Sequence, residues 1–83
     1  MKSHKVIRML RWFEQDPGDK LIGEIELIGV SLSDLQKTFQ VNSSNPMYDC
    51  WKVEEAHLAF LVRHTNVEIN LFKFDYFVEA DAV

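Results

Sequence analysis

Residues 67–80 read VEINLFKFDYFVEA, a run rich in β-branched and aromatic side chains and free of glycine and proline. That composition suits a pleated, half-buried surface and predicts a long strand. Its apolar residues change phase. Val67, Ile69 and Leu71 occupy odd positions, whereas Phe72, Phe74, Tyr76, Val78 and Ala80 occupy even ones. Side chains alternate faces along a strand, so the shift predicts a bulge near residues 71–73 in one strand at the centre of a small sheet.

The rest of the chain supplies partners for that strand. Residues 20–28 alternate strictly, with Leu21, Ile25 and Leu27 on one side with Gly23, and Lys20, Glu24 and Glu26 on the other. This is the pattern of a strand with one buried face. Residues 4–13 (HKVIRMLRWF) predict another strand, apolar on both faces: Ile7, Met9 and Phe13 on one, interrupted by Arg11, and Val6, Leu10 and Trp12 on the other with Arg8. Such a strand is half covered by something outside the main core. Residues 14–19 (EQDPGD) join the two as a hairpin, because proline presets φ and glycine permits positive φ. The terminal strand is expected to pair with one of these two.

Two helices complete the pattern. Ser31 and Asp34 have the spacing of an N-cap and its third helical residue, and Leu32, Leu35 and Phe39 form one apolar stripe ending near Gln40. Residues 42–49 (NSSNPMYD) predict a loop whose Met47 and Tyr48 either tuck beneath it or face a partner. Residues 50–53 are a short strand or an extended entry. Glu54 and Glu55 start a second helix, apolar over a wide arc, that closes on Arg63 and His64. Together these predict a single α+β domain over residues 1–83, a small antiparallel sheet of three to four strands with two helices packed on one face.

With 83 residues the core is small. The net charge of −4 lies wholly in residues 49–83, which hold seven acids and three bases, against six of each in residues 1–48. An acidic surface disfavours direct binding to nucleic acid and suits a basic protein partner; the alternative is an acidic surface that only keeps a small protein soluble. Cys50 is the single cysteine, so neither an internal disulfide nor a cysteine-based zinc site is available. No signal-like or membrane-length apolar run occurs, and a cytoplasmic location is expected.

No catalytic constellation assembles. His57 and His64 lie seven residues apart, beyond the i, i+4 spacing of a shared metal. The acidic and aromatic neighbours of Cys50 raise a thiol pKa rather than activate it. Three scattered glycines make no phosphate loop. Asp75, Glu79 and Asp81 share one face of the last strand and flank Tyr76 and Phe77, a mixture that fits an interface better than an acid–base pair. No catalytic residue, cofactor or metal ligand is predicted, and the chain is not expected to be an enzyme.

The segments EIELIGVSLSDLQKTF (24–39), NPMYDCWKV (45–53) and FKFDYFVEAD (72–81) resemble a family of small bacterial single-domain proteins found as immunity partners of polymorphic toxins, in contact-dependent growth inhibition and bacteriocin systems. The resemblance implies a cytoplasmic, acidic protein that neutralises a cognate toxin, often a basic nuclease, by stoichiometric binding. It supplies no catalytic residues. The expected protein-binding set is Asp49 and Trp51 by the loop, Glu54 and Glu55 at the second helix, and Asp75, Tyr76, Glu79 and Asp81 on the last strand. The alternative is a non-catalytic structural or regulatory module, such as a homodimer joined through an exposed strand edge.

Overall fold

A computed structural model describes residues 5–15 and 20–83. The expected strand start at His4 and the turn residues 16–19 lie outside the described residues. Strands β1 (Val6–Glu14) and β2 (Leu21–Glu26) form the first hairpin, closed by a 2.8 Å bond from the Glu14 N–H to the Lys20 carbonyl. Helix α1 (Leu32–Thr38), the two-residue strand β3 (Trp51–Lys52), a 3₁₀ turn (Glu55–His57), the single-turn helix α2 (Leu58–Leu61) and strand β4 (Phe74–Ala82) follow. The four strands make one antiparallel sheet in the order β2-β1-β4-β3, so the first and last strands are its centre. The α+β architecture is the expected one.

The last strand differs from the reading of its sequence. It starts at Phe74, not Val67, and the phase change at residues 71–73 is a turn rather than a bulge. Asn70 makes it. Its Oδ1 accepts the Phe72 N–H at 3.0 Å, and its carbonyl accepts the N–H groups of Lys73 and Phe74 at 3.1 Å each. An asparagine side chain that bonds the backbone two residues on offers an alternative to a ladder, and here it overrides the β propensity of the flanking residues. Ile69 and Leu71 still pack on the core, without pairing. At the other end β4 runs through Asp81 to Ala82, opposite Val6.

The irregularity in register sits in β2 instead. Trp12 pairs with Gly23 but Phe13 pairs with Leu21, leaving Ile22 as the extra residue. The slip takes Leu21 out of the row of Ile25 and Leu27, and of the three only Leu27 is buried. Gly23 is required where it is, because a β-carbon there would overlap the Trp12 ring. That ring stacks on Tyr76 at 5.5 Å between centroids.

Helix α1 follows its caps. Ser31 Oγ accepts the Asp34 N–H at 3.1 Å. At the other end the Val41 N–H reaches the Gln36 carbonyl and the Gln40 N–H the Lys37 carbonyl, a Schellman closure with Gln40 at φ 56°. Glycine takes this left-handed conformation without a β-carbon penalty. Gln40→Gly should therefore stabilise the domain by about 0.5–1 kcal/mol, visible as a raised melting temperature. A lowered one would show that the exposed glutamine side chain contributes more than its backbone strain costs.

The second helix is shorter than the expected 54–64. It begins as the 3₁₀ turn, in which the Glu54 N–H donates to His57 Nδ1 at 2.8 Å. It ends at Leu61, and three residues on His64 pairs with Ile28, two residues beyond β2. The Ile28 N–H donates to the His64 carbonyl at 3.2 Å, and His64 Nδ1 lies 2.8 Å from the Ile28 carbonyl. Helical and 3₁₀ segments cover one side of the sheet. Between them Leu10, Leu27, Leu35, Met47, Val53, Phe60, Leu61, Tyr76 and Val78 form the core. Met47 is the loop residue that tucks beneath, while Tyr48 stays exposed.

The acceptor role of His57 requires a neutral ring. Burial, opposed by the Glu54 carboxylate, holds its pKa below the ordinary imidazole value. The unfolded chain then takes up the proton first, at about pH 6.5, so the stabilisation is complete above that pH and declines as the pH falls toward the lower folded value. Urea unfolding across pH 5 to 8, roughly the range in which histidine titrates, should show this slope in the wild type and lose it in His57→Gln. An unchanged slope would assign it to another group.

Candidate functional site

Antiparallel partners share a face, so the register separates the two sides of the sheet. Of the even positions of β1 and β4, Leu10, Trp12, Phe74, Tyr76 and Val78 enter or pack on the core. The odd positions face away: Ile7, Met9, Arg11 and Phe13 from β1, and Asp75, Phe77, Glu79 and Asp81 from β4. Glu24 and Glu26 of β2 lie opposite Arg11 and Met9, and Lys52 of β3 lies opposite Phe77. Among the described residues no helix covers this side. Its strands thus carry five carboxylates and two cations, Arg11 and Lys52.

Arg11 organises the acids. Its Nε donates to Glu24 at 2.6 Å, one Nη to Glu79 at 2.9 Å and Asp81 at 2.8 Å, and the other to Asp81 at 2.6 Å. These charge-assisted bonds raise the Arg11 pKa well above its ordinary value and hold Asp81 below the usual carboxylate range. One guanidinium against three carboxylates leaves the cluster net negative and fixed in position. Met9 is buried on this side although it belongs to no part of the main core.

Beside the cluster lies an aromatic floor. Phe13 and Phe77 meet edge to face with centroids 5.8 Å apart. A shallow cavity of about 340 Å³ is lined by both rings with Glu14, Cys50, Asp75 and Glu79. Partial burial, then the Glu79 carboxylate, pushes the Cys50 thiol up, which makes it a poor nucleophile. At the same end of the sheet Phe72 stands 97 % exposed at the tip of the Asn70 turn. That turn is further tied by Gln15 Nε2 to the Leu71 carbonyl at 3.0 Å and by the Asn70 N–H to the Tyr76 hydroxyl at 3.1 Å.

The structure divides the expected protein-binding residues. Asp75, Glu79 and Asp81 do share one face, with Glu79 and Asp81 already held by Arg11. Tyr76 is a correction: it is 2 % exposed in the core, because even positions of β4 point away from the acids. Trp51 also faces the core side, opposite Val78, and its buried Nε1 has no acceptor among the described residues. Asp49 is exposed just before β3, and Glu54 and Glu55 are exposed at the 3₁₀ turn, apart from the Arg11 cluster. Phe13, Phe77 and Arg11 share this face with the acids but lie outside the expected set. Their signal was the odd parity they share with the acids of β4.

The family profile described as Domain of unknown function (DUF7683) matches residues 7–79. The chain belongs to this family. The match spans all four strands and both helices, stopping within β4. No curated protein and no solved structure matches the chain significantly. Among the described residues no three histidine, cysteine or acidic side chains are grouped to hold a metal, and no helix is long and apolar enough to cross a membrane.

Proposed function

We propose that this DUF7683 protein is the immunity partner of a bacterial toxin domain, which it neutralises by stoichiometric binding through the helix-free face of its sheet. The observation that carries the reading is that face itself, an aromatic floor of Phe13 and Phe77 beside a fixed cluster of carboxylates. Aromatic anchors in a desolvated centre supply affinity, and a surplus of one charge around them supplies fast association. A basic toxin, such as a nuclease domain, is the complementary surface. Arg11 holds Glu24, Glu79 and Asp81 in place, so little order of those side chains is lost on binding.

A homodimer through the β2 edge is the weaker reading. Leu21, Ile22 and Ile25 are exposed along it, but antiparallel pairing of two copies would bring Glu24 and Glu26 of one strand against those of the other. The test is co-expression with the product of the adjacent reading frame. A one-to-one complex that survives purification, together with growth only when both proteins are made, supports the proposal. A non-toxic neighbour that forms no complex would remove its basis.

A further inference from the structure

Arg8 is a buried cation that the open face does not use. It lies on the core side of β1, at the end of the sheet opposite Phe13, and is only 9 % exposed. Its Nη1 donates to the Met47 carbonyl at 2.6 Å and its Nη2 to the Pro46 carbonyl at 3.0 Å. Both acceptors are neutral, and two bonds leave part of its five-donor fork unused. No aspartate or glutamate lies within ion-pair distance of it among the described residues. A guanidinium taken out of water without a counter-charge is expensive. Burial accordingly pulls the Arg8 pKa down.

The surroundings are built to hold Arg8 there. Met47 sits at φ 55°, a left-handed conformation for a bulky residue, with its N–H bonded to Asn45 Oδ1 at 2.8 Å and its carbonyl to Arg8. Strain of this kind persists only where neighbouring contacts over-determine it. Arg8 lines a cavity of about 480 Å³ that shares Lys5, Val6 and Tyr48 with a second of about 260 Å³. The remaining walls are largely aliphatic, and neither lining includes an acidic side chain. The combination is a fixed cation, a second, exposed cation and an apolar trough.

We infer that the cavity between the start of β1 and the loop at residues 46–48 binds a small organic anion, a carboxylate carried on an apolar body. Arg8 and Lys5 take the carboxylate, and Val6, Val30, Leu32 and Tyr48 enclose the body. Charge complementarity selects this occupant over a neutral apolar molecule, and the aliphatic walls select it over inorganic phosphate. The lining touches the helix-free face only at Ile7 and includes neither the aromatic floor nor the Arg11 cluster, so its fate is independent of the toxin reading.

The experiment is a ¹H–¹⁵N titration of the whole chain with cinnamate, cinnamamide and inorganic phosphate as three separate probes. Cinnamate should produce saturable shifts at Arg8, Lys5, Val30 and Tyr48, including the Arg8 side-chain Nε–H. Cinnamamide, which has the same body and no charge, should bind about tenfold more weakly or less, and Lys5→Glu should weaken cinnamate by about tenfold. Equal binding of the amide would overturn anion recognition. Phosphate shifting the same resonances at lower concentration than cinnamate would overturn the apolar part. Shifts that stay linear to on the order of 10 mM would mean no specific site, a binding free energy weaker than about −3 kcal/mol. Arg8→Lys is the direct variant; because Arg8 also clamps the loop, exposed Lys5→Glu and Tyr48→Ala carry the test if that variant does not fold.

Discussion

Tyr76→Ala is expected to destabilise the domain by roughly 3–5 kcal/mol, whereas Tyr76→Phe should lose only about 1 kcal/mol. Tyr76 is the largest fully buried side chain and connects three parts of the molecule. Its ring stacks on Trp12 of β1 and meets Phe74 edge to face, its hydroxyl accepts the Asn70 N–H, and its carbonyl accepts the Val53 N–H just beyond β3. Removing a buried aromatic side chain costs roughly 3–5 kcal/mol, in transfer free energy and in the cavity left behind. A domain this small has a total stability of about 4–12 kcal/mol, so the loss is a large share of the whole. The phenylalanine variant keeps the packing and leaves only the Asn70 N–H to find water at an exposed turn, hence the small effect. Urea unfolding monitored by tryptophan fluorescence separates the two. An alanine variant within about 1 kcal/mol of wild type would mean that the core around Trp12 collapses to fill the space.

The same residue shows what the sequence made legible. Its even parity with Phe74 and Val78 marked a buried row, and the sheet, both helices and the Ser31 cap follow from patterns of that kind. Tyr76 nevertheless lies in the core and not in the expected interface, because alternation sends it and its neighbour Asp75 to opposite faces. The long final strand failed for a different reason. β propensity and periodicity act over many residues, but a single asparagine can close a turn by hydrogen bonding its own backbone, and at residue 70 it does. The β2 slip at Ile22 and the Trp12 ring lying across Gly23 beside it are likewise contacts between two strands, which alternation within one strand does not carry. The Arg11 cluster was beyond reach in part: its four members come from three strands, and register had to be known before their charges could be brought together. The apolar character of both faces of β1 predicts a cover outside the main core, whereas among the described residues no other element lies over that side, where Phe13 and Phe77 stand half-buried.

On that surface the aromatic floor and the acids should fail in different ways. Phe77→Ala is expected to weaken the complex with the toxin by roughly 2 kcal/mol or more, about 30-fold, almost entirely through faster dissociation. Phe77 lies at the centre of the helix-free face, half-buried against Phe13, where a partner would complete its desolvation. Asp75→Lys should instead slow association, by about tenfold at low salt, and flatten its dependence on ionic strength. Asp75 is the informative acid because it lines the cavity and makes no ion pair among the described residues, so reversing it changes the field without dismantling a contact. Reversal of Glu79 or Asp81 would strand Arg11 beside a new cation and mix binding with folding. Stopped-flow or surface-based kinetics on the purified pair give both rates, and thermal unfolding of each variant alone checks that the sheet is intact. If Phe77→Ala leaves dissociation unchanged while the complex persists, the toxin does not sit on the aromatic floor. The exposed Phe72 turn and the Glu54–Glu55 end would then be the surfaces left to carry it.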